Sequence, residues 1–164
     1  MTGPKLIPPV WKSVDVPCPA SLAFDLFTRQ PTRWWPRDHR LTRERQAVVF
    51  EPFLGGRWYE RDGDGVERDW GRVLEWEHGR RLRLSWLIDG SFAPIDDDAL
   101  ASRVSIVFSP LGPTSTLVSI GHVDLHRHGP AAAAIRSVID GPSPGDTLAC
   151  FDRWAREARA PRTT

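Results

Sequence analysis

The sequence has little of several features that would assign a protein to a class. Only two of its 164 residues are lysine, and the 22 basic and 21 acidic residues nearly cancel. A formal net charge of +1 gives no electrostatic attraction to nucleic acid or to an anionic membrane surface. No apolar run is long enough to span a bilayer. We therefore expect neither nucleic acid nor membrane among its partners.

Cysteine is also scarce. Cys18 and Cys150 lie far apart, and two thiols cannot build a disulfide framework. Neither has a histidine partner nearby in sequence, so neither is predicted to be a nucleophile. The N-terminus lacks the apolar core of a signal peptide, and no glycine-rich phosphate loop is present. We expect a cytoplasmic protein without a cofactor.

Tryptophan is abundant by contrast. Eight tryptophans and seven phenylalanines accompany a single tyrosine. Large rigid rings can fill a core, or they can line a pocket. The chain length favours one domain, which we place at residues 10–158, after a flexible arm at 1–9 and before a frayed tail at 159–164. Both a monomer and a homodimer are compatible with this division.

The hydrophobic pattern predicts one strand, two short helices, six strands and a broken helical segment. Val10–Val16 alternates as a strand, and the apolar face of the first helix is Leu22, Ala23, Leu26 and Phe27. The Asp-Gly pairs of residues 62–65 are the strongest hairpin signal. Thr114–His126 is expected to be the last strand. Pro130–Ile139 is then helical, and Asp146 caps the final helix.

The order of the predicted strands and helices indicates an α+β fold. A curved antiparallel sheet of about six or seven strands wraps a long C-terminal helix, with two short helices after strand one. The final helix must bury its stripe of Leu148, Phe151 and Trp154 on the dry face of that sheet. An aromatic-lined cavity between the helix and the sheet is the expected ligand site.

Seven stretches carry a resemblance to a known family. They are Val14-Asp-Val-Pro17, Trp34-Trp-Pro36, Phe50-Glu-Pro-Phe-Leu-Gly-Gly-Arg-Trp-Tyr-Glu60, Asp69-Trp-Gly-Arg-Val73, Arg81-Leu-Arg-Leu-Ser-Trp86, Thr116-Leu-Val-Ser-Ile-Gly-His122 and Arg127-His-Gly129. On these, the chain from about Val10 to Ala158 resembles the START-like, helix-grip superfamily, which includes polyketide cyclases and the birch-pollen allergen. Within it, the chain is similar to homologues of the activator of the ninety-kilodalton heat-shock chaperone's ATPase.

The resemblance implies the helix-grip fold and adds chaperone docking as a possible role, but it contains no catalytic signature. The chain departs from the family at one junction. Relatives begin the last helix with a Gly-Trp pair, where this sequence has Gly141-Pro-Ser-Pro-Gly145. The two prolines are expected to bend the entrance to the final helix.

We expect the cavity to bind a small hydrophobic or aromatic molecule without catalysis. Trp34 and Trp35 lie between two prolines and cannot both be buried on one helix face, so one of them is expected at the cavity mouth. The predicted ligand contacts are Trp34, Trp35, Phe50, Trp58, Glu60, Trp70, Trp86, Phe108, His122, Phe151 and Trp154.

The alternative is an enzyme of the cyclase, aromatase or hydrolase kind. His122 shares the inward side of its strand with Val118 and Ile120. A buried histidine most often bonds a neighbour, but here it is also a candidate ligand contact or general base. Glu60 is the matching candidate acid, although surface placement or pairing with Arg72 is the more ordinary role for such a carboxylate.

Two groups of residues could suggest a metal site, one for zinc and one for calcium. His122, Asp124, His126 and His128 alternate on one side of the last strand, but His126 and His128 are expected in solvent at its end. We predict no zinc site. Asp62, Asp64 and Glu67 suggest calcium, but Val66 stands where a further ligand is needed, so a hairpin turn explains them better. Solvated loops are expected at residues 96–98 and 37–45.

Overall fold

The computed structural model describes residues 7–37, 39–89, 91, 93–140 and 147–159. The strands are β1 Val10–Val16, β2 Arg45–Phe50, β3 Arg57–Asp62, β4 Glu67–Glu77, β5 Arg81–Trp86, β6 Ser102–Gly112 and β7 Ser115–Val123. The helices are α1 Ala20–Arg29, α2 Pro31–Trp34, α3 Ala132–Asp140 and α4 Thr147–Arg159, with 3₁₀ turns at Asp98–Leu100 and Leu125–Ala131. None of the described helices is long and apolar enough to cross a membrane.

All seven strands form one antiparallel sheet in the order β1-β7-β6-β5-β4-β3-β2. Strands β2 to β7 follow one another as a meander, and β1 adds to the free side of β7. The predicted α+β fold with a curved antiparallel sheet and two short helices after the first strand is therefore confirmed.

Two bulges curve the sheet, one in the β3–β4 pair and one in the β4–β5 pair. The register shifts between Trp58 and Tyr59 on β3, and again between Val73 and Glu75 on β4. Such shifts bend a strand and increase its twist. Gly71 lies between them, where a Cβ atom would stand 1.7 Å from the carbonyl oxygen of Ser85. Only glycine allows β4 and β5 to approach this closely.

The core lies between the concave face of the sheet and helices α1 and α4. Leu148 and Phe151 of the predicted α4 stripe are buried there together with Ala155, whereas Trp154 is only partly buried. The predicted face of α1 is wrong by about one residue. Phe24 packs edge-on against Phe108 at 5.1 Å between ring centroids, so it is fully buried. Leu22 and Leu26, which we expected there, are only partly buried.

The chain after β7 also differs from the prediction. The strand ends at Val123 because Asp124 adopts a left-handed backbone, with φ of 56°. A 3₁₀ turn over Leu125–Ala131 follows, and α3 begins at Ala132. The Gly141–Gly145 junction and Asp146 lie outside the described residues, as do positions 1–6 of the predicted arm and 160–164 of the predicted tail.

Candidate functional site

An aromatic cluster covers the inner side of the sheet between α2 and α4. Ring centroids are 5.1 Å apart between Phe151 and Trp34, and 5.7 Å apart from Trp35 to Trp58 and from Trp58 to Trp70. Distances of this size are typical of favourable aromatic pairs. The cluster joins seven of the predicted ligand contacts, directly or through Phe27: Trp34, Trp35, Phe50, Trp58, Trp70, Phe108 and Phe151.

The tryptophans of the inner side differ in their exposure. Trp34, Trp58 and Trp70 are buried core residues. Trp35, Trp86 and Trp154 pack against that core but remain partly exposed. Trp11 lies on the other face of the sheet, is half exposed and covers Gly121.

Five indole N–H groups are buried without an acceptor among the described residues. They belong to Trp34, Trp35, Trp58, Trp86 and Trp154. A buried donor left unpaired costs about 1–3 kcal/mol, and native proteins have few of them. Trp70 differs from the five, because its indole nitrogen donates to Glu60 over 3.0 Å. Donors gathered in this way on one apolar interior are a means of holding oxygen atoms of a bound molecule.

Glu60 is fully buried, so the expected surface position is wrong, and the Arg72 guanidinium pairs with Asp69 instead of with Glu60. One oxygen accepts from the backbone nitrogen of Leu41 at 2.6 Å and from Trp70. The other accepts from the backbone nitrogen and the hydroxyl of Thr42. With four donors around it, the carboxylate holds the loop before β2 against β3, and the proton-donor role predicted for it has no free oxygen to act through.

Arg45 holds the same loop from its other side. Its guanidinium donates to the carbonyl oxygens of Trp35, Pro36 and His39, at 3.2, 2.8 and 2.7 Å. Burial lowers the pKa of Arg45, and the charge of Glu60 opposes that shift. The prediction of a solvated loop therefore fails at Arg45, which starts β2 and fixes the position of Trp35.

His122 lies at the other end of the concave face and is 4% exposed. Its ring is 4.1 Å from that of Trp86, and its Nε2 is 2.7 Å from the hydroxyl of Ser102. Burial, and next the charge of His128, lower the pKa of His122 to about 3, so the imidazole is neutral at physiological pH. Its Nδ1 makes no hydrogen bond within the described part of the chain.

His128 is not in solvent, contrary to the prediction. The 3₁₀ turn after Asp124 brings its Nε2 to 2.7 Å from the same Ser102 hydroxyl, while His126 is exposed. Asp124 lies 3.8 Å from Arg83. Among the residues that the structure describes, no three His, Cys, Asp or Glu side chains gather as a metal ion requires. The sequence analysis did not single out Ser102, although its alternation with Val104 places it on the inner face.

The acidic residues of the turns form hydrogen bonds or ion pairs with neighbouring residues of the protein. The carboxylate of Asp62 accepts from the backbone nitrogens of Asp64 and Val66, which is the predicted hairpin turn. Asp97 caps the 3₁₀ turn at Ala99, and Asp98 pairs with Arg103 at 2.8 Å. A groove of about 310 Å³ lies beside this loop, separate from the aromatic cluster, and is lined by Asp69, Arg72, Leu87, Pro94, Ile95, Asp96 and Asp98.

Solved structures similar to this chain include a synthase and a resistance protein. An anthrahydroquino-γ-pyrone synthase, Txn09, complexed with SUM, is 47% identical over 90% of this chain and 97% of its own, with a TM-score of 0.64. The self-sacrificing resistance protein CalC from Micromonospora echinospora is 30% identical over 94% of this chain and 98% of its own, with a TM-score of 0.69.

A protein of Nitrosomonas europaea shares the fold with a TM-score of 0.63 at 14% identity, over 92% of this chain and 96% of its own. The chain matches no family model, and no curated protein sequence matches it.

Proposed function

We propose that this chain, which belongs to the helix-grip family that includes Txn09 and CalC, binds a flat polycyclic aromatic molecule bearing carbonyl or hydroxyl oxygens. The observation that carries the proposal is the set of buried indole N–H groups without acceptors on an aromatic interior. A quinone or hydroquinone fits both properties, because its ring system packs against aromatic side chains and its oxygens accept hydrogen bonds.

One of the two relatives supports this class of ligand. The name of Txn09 places its reaction on an anthrahydroquinone skeleton, and the chain matches nearly all of that protein. The three partly exposed indoles, Trp35, Trp86 and Trp154, are the residues that such a ligand would contact first.

Calorimetric titration with a matched pair of probes tests the proposal. Anthraquinone-2-sulfonate and anthracene-2-sulfonate have the same outline, and they differ in two carbonyl oxygens. We expect the quinone to bind about tenfold more tightly, which corresponds to one net hydrogen bond of about 1.4 kcal/mol. Equal affinities, or no binding of either compound, would contradict the proposed recognition.

Conservative variants locate the site. Phenylalanine keeps an apolar ring and removes the indole N–H, so at least one of Trp35→Phe, Trp86→Phe and Trp154→Phe should lower quinone affinity about tenfold. Trp11→Phe is the matched control, because Trp11 lies on the opposite face of the sheet and is 50% exposed. If only Trp11→Phe weakens binding, the ligand site is not the interior.

A second function, ring closure, is favoured by the 47% identity with a γ-pyrone synthase and by a neutral His122 whose Nδ1 makes no hydrogen bond among the described residues. A hydroxyl on an aromatic ring adds to a carbonyl of the neighbouring side chain, and loss of water then gives the γ-pyrone. His122 would accept the hydroxyl proton as general base and return it to the carbonyl oxygen, which then leaves as water with one proton from the adjacent carbon. The expected partner acid, Glu60, is engaged with Leu41, Thr42 and Trp70 and takes no part in this step.

The probe for ring closure is 1-(2-hydroxyphenyl)butane-1,3-dione, which forms 2-methylchromone and water and changes its ultraviolet absorbance. We expect the protein to accelerate this reaction, and His122→Ala to lower the rate about a hundredfold while far-ultraviolet dichroism is unchanged. His126→Ala is the control, since His126 is exposed. A rate equal to that of buffer would reject ring closure of this probe class and leave binding as the function.

The resemblance to chaperone-activator homologues supports a third prediction, docking to the heat-shock chaperone. The contacts described above do not bear on it. A pull-down with the purified chaperone tests it, and recovery equal to that on bare resin would contradict it.

A further inference from the structure

Three side chains that the ligand proposal does not need meet at one buried hydroxyl. Ser102 begins β6, His122 lies near the end of β7 and His128 belongs to the 3₁₀ turn that follows. The Nε2 atoms of both imidazoles lie 2.7 Å from the Ser102 oxygen. Ser102 is fully buried and His122 nearly so, whereas His128 is partly exposed. The chain of contacts therefore runs from the interior towards solvent.

The number of protons limits how these three side chains can form hydrogen bonds with one another. A hydroxyl has one proton, so Ser102 can donate to only one imidazole and must accept N–H from the other. A neutral imidazole has one N–H and one bare nitrogen, which suits either role. If both histidines were charged, both Nε2 atoms would be donors and the hydroxyl proton would have no acceptor. Two neutral rings of opposite tautomer thus satisfy both hydrogen bonds of the Ser102 hydroxyl.

We propose that His122, Ser102 and His128 form a proton relay through which an acidic hydroxyl of the bound ligand exchanges its proton with solvent. The proposal rests on the proposed function, because the hydroxyl belongs to the aromatic ligand. It goes beyond that function by assigning a path for the proton. The entry point is Nδ1 of His122, which has no other partner in the described chain and lies beside Trp86.

When the ligand is a phenol, one proton moves at each contact of the relay, from the phenol to His122, Ser102, His128 and finally water. The phenol O–H bond breaks and an N–H bond forms at Nδ1 of His122, whose Nε2–H then breaks as its proton passes to the Ser102 oxygen. The original Ser102 proton moves to Nε2 of His128, which becomes an imidazolium and releases a proton to water. The phenolate remains with the ligand. A proton from solvent that travels along the relay in the opposite direction restores the starting tautomers and reprotonates the phenolate.

The surroundings suit such a relay. Burial lowers the pKa of both histidines, so both rings are neutral at physiological pH. The nearby charge of Asp89 opposes that shift at His128 and would stabilise an imidazolium there. The transient positive charge thus falls on the histidine that reaches the surface, while concerted transfer through His122 leaves no charge on that buried ring.

Stopped-flow absorbance with 2-hydroxyanthraquinone tests the relay, because its phenol and phenolate differ in colour. The complex is formed at pH 6 and mixed into buffer at pH 9. The dissociation rate is measured separately by displacement with excess anthraquinone-2-sulfonate. Without a relay, a buried phenol ionises only when the ligand leaves. We expect the wild-type complex to ionise at least tenfold faster than it dissociates.

Variants of the relay residues are compared with a variant of a neighbouring histidine that is not part of the relay. In Ser102→Ala and His128→Gln, ionisation should slow to the dissociation rate, while His126→Gln, an exposed histidine of the same turn, should behave as wild type. If Ser102→Ala does not fold, His128→Gln alone decides, since His128 is only partly buried. Ionisation of both variants at the wild-type rate, or of wild type at its dissociation rate, would overturn the relay. A probe that does not bind to wild type would overturn the proposed function, and with it the relay.

Discussion

His122 is a titratable side chain placed where water has little access. Burial first, and then the charge of His128, lower its pKa to about 3, whereas a histidine of the unfolded chain titrates near 6.5. Between these values the unfolded state binds the proton and the folded state does not. Protonation therefore favours unfolding throughout this window. The folded protein should lose stability as pH falls from about 6.5 towards 3, and His128 acts in the same direction.

Urea unfolding at pH 7, 5.5 and 4.5 measures this effect. For His122 alone, the free energy of unfolding should fall by up to about 1.4 kcal/mol for each pH unit below 6.5. His122→Gln removes the titrating group and should show a smaller slope, whatever its stability at pH 7. The carboxylates titrate equally in both proteins, so the difference between the slopes isolates His122. Parallel slopes would mean that His122 is protonated in the folded state.

The sequence predicts the inward direction of His122 but not its partners. Alternation with Val118 and Ile120 places the imidazole on the concave face, and that part of the interpretation agrees with its burial. Contact with His128 depends on the left-handed backbone of Asp124, which turns the chain back over β6. Simple strand alternation places His128 in solvent, because the sequence pattern does not mark the residue at which the strand ends.

At the scale of elements, two side chains, Glu60 and Arg45, hold the loop between α2 and β2 in position. Glu60 of β3 accepts four hydrogen bonds, three of them from Leu41 and Thr42 of this loop. Arg45 of β2 holds three of its carbonyl oxygens. Trp35 lies at the start of the loop, so these two residues position one wall of the proposed ligand site.

Glu60→Gln tests this role. An amide places two N–H donors where an acceptor oxygen was, so two of the four hydrogen bonds are lost and their donors stay buried. We expect a loss of about 2–4 kcal/mol in the free energy of unfolding, measured by urea titration. Glu77→Gln is the matched control, because Glu77 is a surface residue paired with Arg80, and its loss should stay below about 0.5 kcal/mol. Equal effects of the two substitutions would contradict the anchoring role.

Long-range partners explain why the burial of Glu60 was not predicted. Three of its four donors lie 18 or 19 residues earlier in the chain, in a segment rich in arginine and without periodicity. The strands, by contrast, are predicted well because alternation of apolar and polar residues is a local signal. The hairpin at Asp62 follows from Asp-Gly chemistry for the same reason.

At the scale of the whole molecule, the seven-stranded sheet and α4 enclose an interior that is aromatic and yet contains unpaired donors. The sequence predicts the fold from the order of its elements and its family resemblance. Its alternation on strands and its helical stripes also place most of the predicted aromatic residues towards the interior, whereas Trp35 lies in a loop after α2. It cannot tell which indole nitrogens lack an acceptor, since that depends on how distant side chains pack.

The most direct measurement is a heteronuclear NMR spectrum of the eight indole N–H groups, recorded during titration with anthraquinone-2-sulfonate. Trp11, which is half exposed on the outer face, and Trp70, which already donates to Glu60, serve as internal references. We predict that at least two signals among Trp34, Trp35, Trp58, Trp86 and Trp154 shift strongly as hydrogen bonds to the quinone form, while the reference signals stay in place. Shifts confined to Trp11, or no shifts at saturating quinone, would contradict a ligand site in the interior.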